Sequence, residues 1–294
     1  MKWNKVIFCS AILGLCLISF PAQTQNLSDR KSLLEAWNQP FKPFRIIGNI
    51  YYVGTNNLAC YLITTPGGHI LIDTGMEESG PLVRANIEAL GYKLKYVRII
   101  LSSHAHFDHV AGHADMKAAT GAQVFASAAD AATLESGGTK GFHPLNAYKP
   151  VKVDRIIKDG EIVRMGNIAL TAHLTPGHTE GNTTWTTTVE EGGKKYDIVF
   201  VGSMSINPGV LMVNNPTWPK ITEAYAKSFQ TLKSLHCDVF LGPHAPFFGM
   251  EAKVKRMKAD TKSNPFIDPD GYQNYIASYE KSYNEQVQRE RTGK

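Results

Sequence analysis

At 294 residues, with 43% hydrophobic, 10% aromatic and 19% charged side chains, the chain is long enough for one large domain or two modest ones. A core of that size needs no disulfide staples, and the spread of apolar and aromatic residues excludes coiled coils, collagens and disordered tails. The formal net charge of +5 falls to +3 without Lys2 and Lys5, and no basic run is dense enough to imply nucleic acid.

The first residues carry two lysines, then Val6 to Phe20 is almost wholly apolar and ends at Pro21-Ala22-Gln23. A cationic head, an apolar run and a small-residue boundary describe a secretory signal peptide over residues 1–25, cleaved between Ala22 and Gln25. The run falls short of the ~20 residues a spanning helix needs, so no membrane association is expected after cleavage. Export to a periplasm is expected, with residues 26–294 as one mature domain. Cys9 and Cys16 would leave with the signal. Cys60 and Cys237 remain, as buried thiols or as a bridge, and spacing does not choose between them.

After an irregular or partly helical arm over Asn26 to Pro43, strands are predicted at Arg45 to Val53, Ala59 to Thr64 and Gly68 to Asp73. Leu82, Ile87 and Leu90 predict a helix over Pro81 to Leu90, stopped by Gly91. Tyr96 to Leu101 reads as a buried strand. A helix near Gly112 to Thr120, a strand at Ala122 to Ala126 and a helix near Ala128 to Leu134 follow. The second half opens with a meander, Glu161 to Met165 and Ile168 to Leu174. Strands at Thr183 to Val189 and Tyr196 to Val201 flank Glu191-Gly192-Gly193. Helices at Ile221 to Leu235 and Ala252 to Asp260 enclose a strand at Asp238 to Leu241, and a last helix starts near Asp268-Pro269. Strands punctuated by helices predict a layered α/β architecture, one domain of two similar halves.

The chemistry concentrates in Ser103-His104-Ala105-His106-Phe107-Asp108-His109, directly after a predicted buried strand. Residues two apart on a helix lie on nearly opposite sides, so His104 and His106 converge only if they sit on a loop. Loops at strand ends are where functional groups gather in α/β sheets. His178, in Thr175-Pro176-Gly177-His178-Thr179, and His244, in Gly242-Pro243-His244, each follow another predicted strand. Together these residues supply two sets of three nitrogen or oxygen ligands, and three protein ligands leave zinc an open position, as catalytic sites require.

His-Ala-His-Phe-Asp-His resembles the signature of the metallo-β-lactamase superfamily. The likeness runs from about Phe44 to Tyr275 through Leu71-Ile72-Asp73-Thr74-Gly75, Thr175-Pro176-Gly177-His178-Thr179, Val201-Gly202-Ser203 and Gly242-Pro243-His244. It implies an αββα sandwich with a metal groove at the edge of the sheets. The combination is similar to the zinc β-lactamases of subclass B3. By position, His104, His106 and His178 resemble that subclass's first zinc site, and Asp108, His109 and His244 its second.

The resemblance implies two Zn2+ ions sharing a hydroxide that attacks the lactam carbonyl of a small-molecule β-lactam, with Asp108 orienting the water. Ser203 and Ser205 resemble the serines that meet the substrate carboxylate, Asn207 lies in the same segment, and Asp73 resembles a carboxylate supporting a metal ligand from behind. Val210 stands where some relatives place a tyrosine near the oxyanion. Many relatives also pair a cysteine in the last helix with the position of Cys237, and this chain has none there. The Ser136 to His143 stretch reads as a rim loop. His113 is expected at the surface or behind the site; His69, His143, His173 and His236 are expected to take no part.

Ser203 discriminates between activities. Glyoxalase-type hydrolases, lactonases and nucleases of the superfamily usually carry a metal-bridging Asp at this position, and two other β-lactamase subclasses carry a zinc-binding Cys. The expected function is therefore zinc-dependent β-lactam hydrolysis giving antibiotic resistance, by a monomer with no nucleic-acid partner. The alternatives are a thioester or lactone hydrolase on the same fold and a non-catalytic zinc protein, since a fold alone does not establish activity.

Overall fold

Strands with a side-chain period of two can serve two cores at once, and several central strands of this chain do so. A computed structural model describes residues 22–142, 147–260 and 262–293, with side chains from residue 30 onward. The chain divides into two units, Met1–Ala36 and Trp37–Lys294. The expected signal segment lies outside the described residues up to residue 21. The arm expected to be partly helical is α1 (Ala22–Trp37) as far as Trp37. No described helix is long and apolar enough to cross a membrane.

The second unit begins with β1 (Phe44–Ile47), β2 (Ile50–Tyr52), β3 (Tyr61–Thr65) and β4 (Gly68–Ile72), all antiparallel. The single strand expected over Arg45 to Val53 is a hairpin instead. Gly48 takes φ +52, which lets the chain reverse inside an otherwise apolar run. Next come α2 (Ser79–Ala89), β5 (Val97–Leu101), the short α3 (Phe107–Val110), α4 (His113–Thr120), β6 (Gln123–Ser127), α5 (Ala128–Glu135) and β7 (Arg155–Ile157). β4 to β7 are parallel neighbours, completing a seven-stranded sheet in sequence order.

The antiparallel run β8 (Ile162–Met165), β9 (Ile168–Leu174), β10 (Thr183–Glu191) and β11 (Lys194–Phe200) forms a second sheet, and after α6 (Ile221–Ser234) the parallel β12 (Val239–Leu241) adds to its β11 edge. α7 (Met250–Ala259) and α8 (Pro269–Thr292) end the fold; Asp268 caps α8 by accepting from the Gly271 amide.

Alternation assigns the layers. Ile70 and Ile72 of β4, Ile99 and Leu101 of β5 and Phe125 of β6 join Leu170 and Trp185 in the core between the sheets. Leu71, Ile100 and Val124 point the other way, under Val83 and Ile87 of α2, Met116 of α4 and Leu134 of α5. On the opposite side, Ile221, Tyr225, Phe229 and Leu232 of α6 recur at helical spacing and pack with Tyr272 and Ile276 of α8 beside β12. The result is the expected αββα sandwich. Cys60 and Cys237 are both free and buried.

Candidate metal centre

Five strands deliver the candidate residues from their C-terminal ends or the loops that follow: Asp73 after β4, the His104–His109 stretch after β5, His178 after β9, Ser203 after β11 and His244 after β12. The loop after β5 is braced on every side. The Ser103 carbonyl accepts from the Thr183 amide, the Ser102 carbonyl from the Trp185 indole and the Ala105 carbonyl from the Tyr148 hydroxyl. Asp73 sits at φ +60, in the left-handed region that Asp and Asn enter more readily than other non-glycine residues. Gly177 has a packing reason: a Cβ there would meet the Tyr225 ring at 2.9 Å.

The six expected ligands gather as the two expected triads, His104 with His106 and His178, and Asp108 with His109 and His244. Within each triad the donor atoms lie within 4.8 Å of one another. His106 Nδ1 faces His178 Nε2 at 3.1 Å, and Asp108 Oδ2 lies 3.4 Å from His109 Nε2 and 3.5 Å from His244 Nε2. Tetrahedral zinc with bonds of about 2.0–2.1 Å separates its ligand atoms by roughly 3.3 Å, so these spacings fit one ion per triad.

Proton accounting points the same way. Ser103 donates its hydroxyl hydrogen to Asp73 Oδ2 (2.6 Å), so at 3.2 Å its oxygen can only accept from His104 Nδ1. His178 Nδ1 lies 2.7 Å from the Ser205 carbonyl, which only accepts. Both rings therefore carry their proton on Nδ1 and keep the Nε2 lone pair, the form that binds a metal. His104 Nε2 and both ring nitrogens of His109 are buried with no hydrogen-bond partner among the described residues. Burial holds His104 well below the usual imidazole range and His109 and His244 down to about 3, aided by neighbouring histidines. Burial also raises Asp108, and pushes Asp73 up to about 8 against the pull of its Ser103 bonds. A cup of neutral imidazoles and costly buried carboxyls is one that cations relieve.

A third group, Asp197, His236 and Asp238, lacks this character. His236 Nδ1 and the Thr188 hydroxyl bond Asp197, and the Asp197 amide donates to Asp238. Its bonds are satisfied within the sheet edge.

Asp73 supports His104 through Ser103 and also stands 3.6 Å from His109 Nδ1. Ser203 is buried, its Oγ 3.0 Å from the Ser205 Oγ, and Ser205 in turn contacts His178 Nδ1 at 3.2 Å. The carboxamide nitrogen of Asn207 is buried without a partner among the described residues.

Of the two places expected for His113, the surface and behind the site, the structure gives the second. The residue is wholly buried, with Nδ1 2.7 Å from the Thr74 Oγ1 and Nε2 3.0 Å from the Ser102 Oγ, so it ties the β4 end to the β5 end behind the cup. His69 packs its ring on Tyr92 and Tyr96, and His173 bonds Thr186. His143 lies outside the described residues. Sequence reasoning missed Ser103, His113's two partners and Asn57, whose Oδ1 lies 2.8 Å from His244 Nδ1. Ser103 and Thr74 stand inside motifs already quoted, but nothing in the sequence marks which side chains they bond.

Burial lowers His113 to about 3. A folded value below the unfolded ~6.5 means that its contribution is complete above pH 6.5 and drains away as pH falls towards 3. His113→Leu leaves two buried hydroxyls unpaired, an expected cost of about 1–3 kcal/mol at pH 7.5. Urea unfolding of the metal-free protein at pH 7.5 and pH 5 checks this: the gap between wild type and variant should narrow at pH 5.

The sequence model of the metallo-beta-lactamase superfamily matches residues 53–244. Among solved structures, the chain is similar to the native FEZ-1 metallo-beta-lactamase from Legionella gormanii, with a TM-score of 0.85 and 44% identity over 87% of this chain and 98% of that one. It is also similar to BJP-1, a subclass B3 metallo-beta-lactamase of Bradyrhizobium japonicum, with a TM-score of 0.82 and 40% identity over 87% and 97%. Among curated proteins it resembles the hydroxyacylglutathione hydrolase of Methylococcus capsulatus, at 31% identity over 42% of this chain and 40% of that protein. The chain thus spans about two fifths of the length of the first curated relatives it matches.

Proposed function

Because the chain belongs to the metallo-β-lactamase superfamily, we propose that it hydrolyses the β-lactam ring of penicillins, cephalosporins and carbapenems with two zinc ions, giving antibiotic resistance. His104, His106 and His178 would hold one ion and Asp108, His109 and His244 the other. Zinc in such a cup supplies Lewis acidity for a carbonyl and lowers the pKa of water. The chain's own residues do the rest. Asp108 orients the attacking water. Ser205, half-buried at the rim and bonded to both Ser203 and His178, offers a hydroxyl to the substrate carboxylate. Asn207, whose buried amide nitrogen has no partner among the described residues, lies in the same loop. Val210 supplies no phenol, so this chain adds no tyrosine donor at that position. The enzyme is proposed to be exported to a periplasm and to act as a monomer.

The observation that carries this reading is position 203. Glyoxalase-type hydrolases of the superfamily usually carry an Asp there, and this chain has instead a serine whose Oγ lies 3.0 Å from the Ser205 Oγ, while His109 completes the second triad. The near full-length likeness to FEZ-1 and BJP-1 supports the same reading. Thioester hydrolysis is the second reading, favoured by the hydroxyacylglutathione hydrolases among the curated relatives. Purified zinc-loaded protein assayed on one penicillin, one cephalosporin, one carbapenem and S-lactoylglutathione separates the two. Values of kcat/KM of about 10⁴ M⁻¹s⁻¹ or more are expected on β-lactams. Turnover of the thioester alone would transfer the assignment to the second reading.

A further inference from the structure

His244 is a candidate ligand held by a part of the chain distant from it in sequence. Its Nε2 is turned to Asp108, and its Nδ1 lies 2.8 Å from the side-chain oxygen of Asn57, 187 residues away in sequence. The Asn57 loop is built rigidly. The Thr55 amide donates to the Leu58 carbonyl (3.0 Å), the Thr55 hydroxyl donates to the Trp37 carbonyl (2.7 Å), and the Tyr52 hydroxyl donates to the Thr55 carbonyl (2.6 Å). The loop is then zipped to the ligand segment itself, with Ala59 N donating to the Pro243 carbonyl and Ala245 N to the Asn57 carbonyl. The rings of Trp37 and Phe247 lie 5.3 Å and 5.0 Å from the imidazole.

We infer that Asn57 is a positioning residue for the second metal site: its carboxamide oxygen accepts the Nδ1 proton of His244, fixing the tautomer that presents a bare Nε2 beside Asp108. This rests on the reading that Asp108, His109 and His244 hold an ion. An imidazole that ligates through Nε2 must carry its proton on Nδ1, and an acceptor for that proton fixes ring and tautomer together. The two aromatic rings restrict the imidazole's tilt but cannot choose its tautomer. That choice falls to Asn57. Loss of such a partner typically weakens metal affinity 10–100-fold.

The test measures zinc affinity of the full chain, apo protein titrated with zinc against a chromophoric chelator, for wild type, Asn57→Leu, Asn57→Asp and His244→Ala. Wild type should take two ions. Asn57→Leu should weaken one of them about 10–100-fold and leave the other unchanged, and the weakened ion should be the one His244→Ala loses. Asn57→Asp keeps an acceptor and should restore the affinity. The melting temperature of the apo protein should be the same for wild type and Asn57→Leu, because the backbone bonds of the loop remain.

Unchanged affinities in Asn57→Leu overturn the inference while leaving the two-ion reading intact. So does equal weakening in Asn57→Asp, or a fall in apo melting temperature with loss of both ions, which marks a merely structural role. A wild type that takes fewer than two ions overturns the two-ion reading and the inference together.

Discussion

Asp108→Asn should lower kcat/KM on β-lactams by about 10²–10⁴-fold, the span attached to losing a positioned acid–base group, and should leave about one zinc per chain. The reason lies in the second triad. Asp108 is its one carboxylate, and its Oδ2 stands between two imidazoles at 3.4 and 3.5 Å. An amide of the same shape keeps the packing but removes the negative charge that would neutralise an ion and orient water. The stability effect has the opposite sign. Burial raises Asp108 because its charged form is costly away from water, and asparagine removes that cost. The apo variant should therefore melt no lower than apo wild type. Steady-state kinetics with metal analysis and differential scanning calorimetry read the two effects separately. A variant within tenfold of wild-type kcat/KM would remove Asp108 from the mechanism.

Stripping the metal should abolish turnover and also lower the melting temperature by about 10 °C. A ligand present at 1,000 times its Kd stabilises by about 4.1 kcal/mol, and each kcal/mol shifts a domain of this size by about 2–4 °C. The loss is strong because the cup has no substitute for its ions. His104 Nε2 and both His109 nitrogens find no partner among the described residues, and Asp73 is pushed up to about 8 by burial. A calorimetric scan with chelator and a second after zinc is returned should bracket the shift and show it reversed. An apo protein melting within 2 °C of the zinc-loaded form would mean that the triads are not filled.

The site was legible because its chemistry is dense. Four candidate ligands within 104–109 cannot be explained by packing, and the strands before His178 and His244 read clearly from their apolar runs. The supports were not legible, for a physical reason. Ser103, Asn57 and His113 act through single hydrogen bonds to residues brought in by other elements, and such pairings leave no periodicity. His113 sits at the start of α4, in a stretch as polar as a surface helix; only the meeting of Thr74 and Ser102 around it makes the position a buried one. In the fold, the β1–β2 hairpin was hidden because Gly48 and Asn49 interrupt an apolar run without lengthening it. β7 is a three-residue strand with two exposed positions, too short to show alternation.

The most direct measurement is the number of zinc ions the apo chain takes up, titrated while β-lactam hydrolysis is followed in the same solution. Two equivalents are predicted, with activity reaching its plateau as the second is filled. Saturation with one ion or none, or full turnover in the presence of excess chelator, would contradict a mechanism built on two triads.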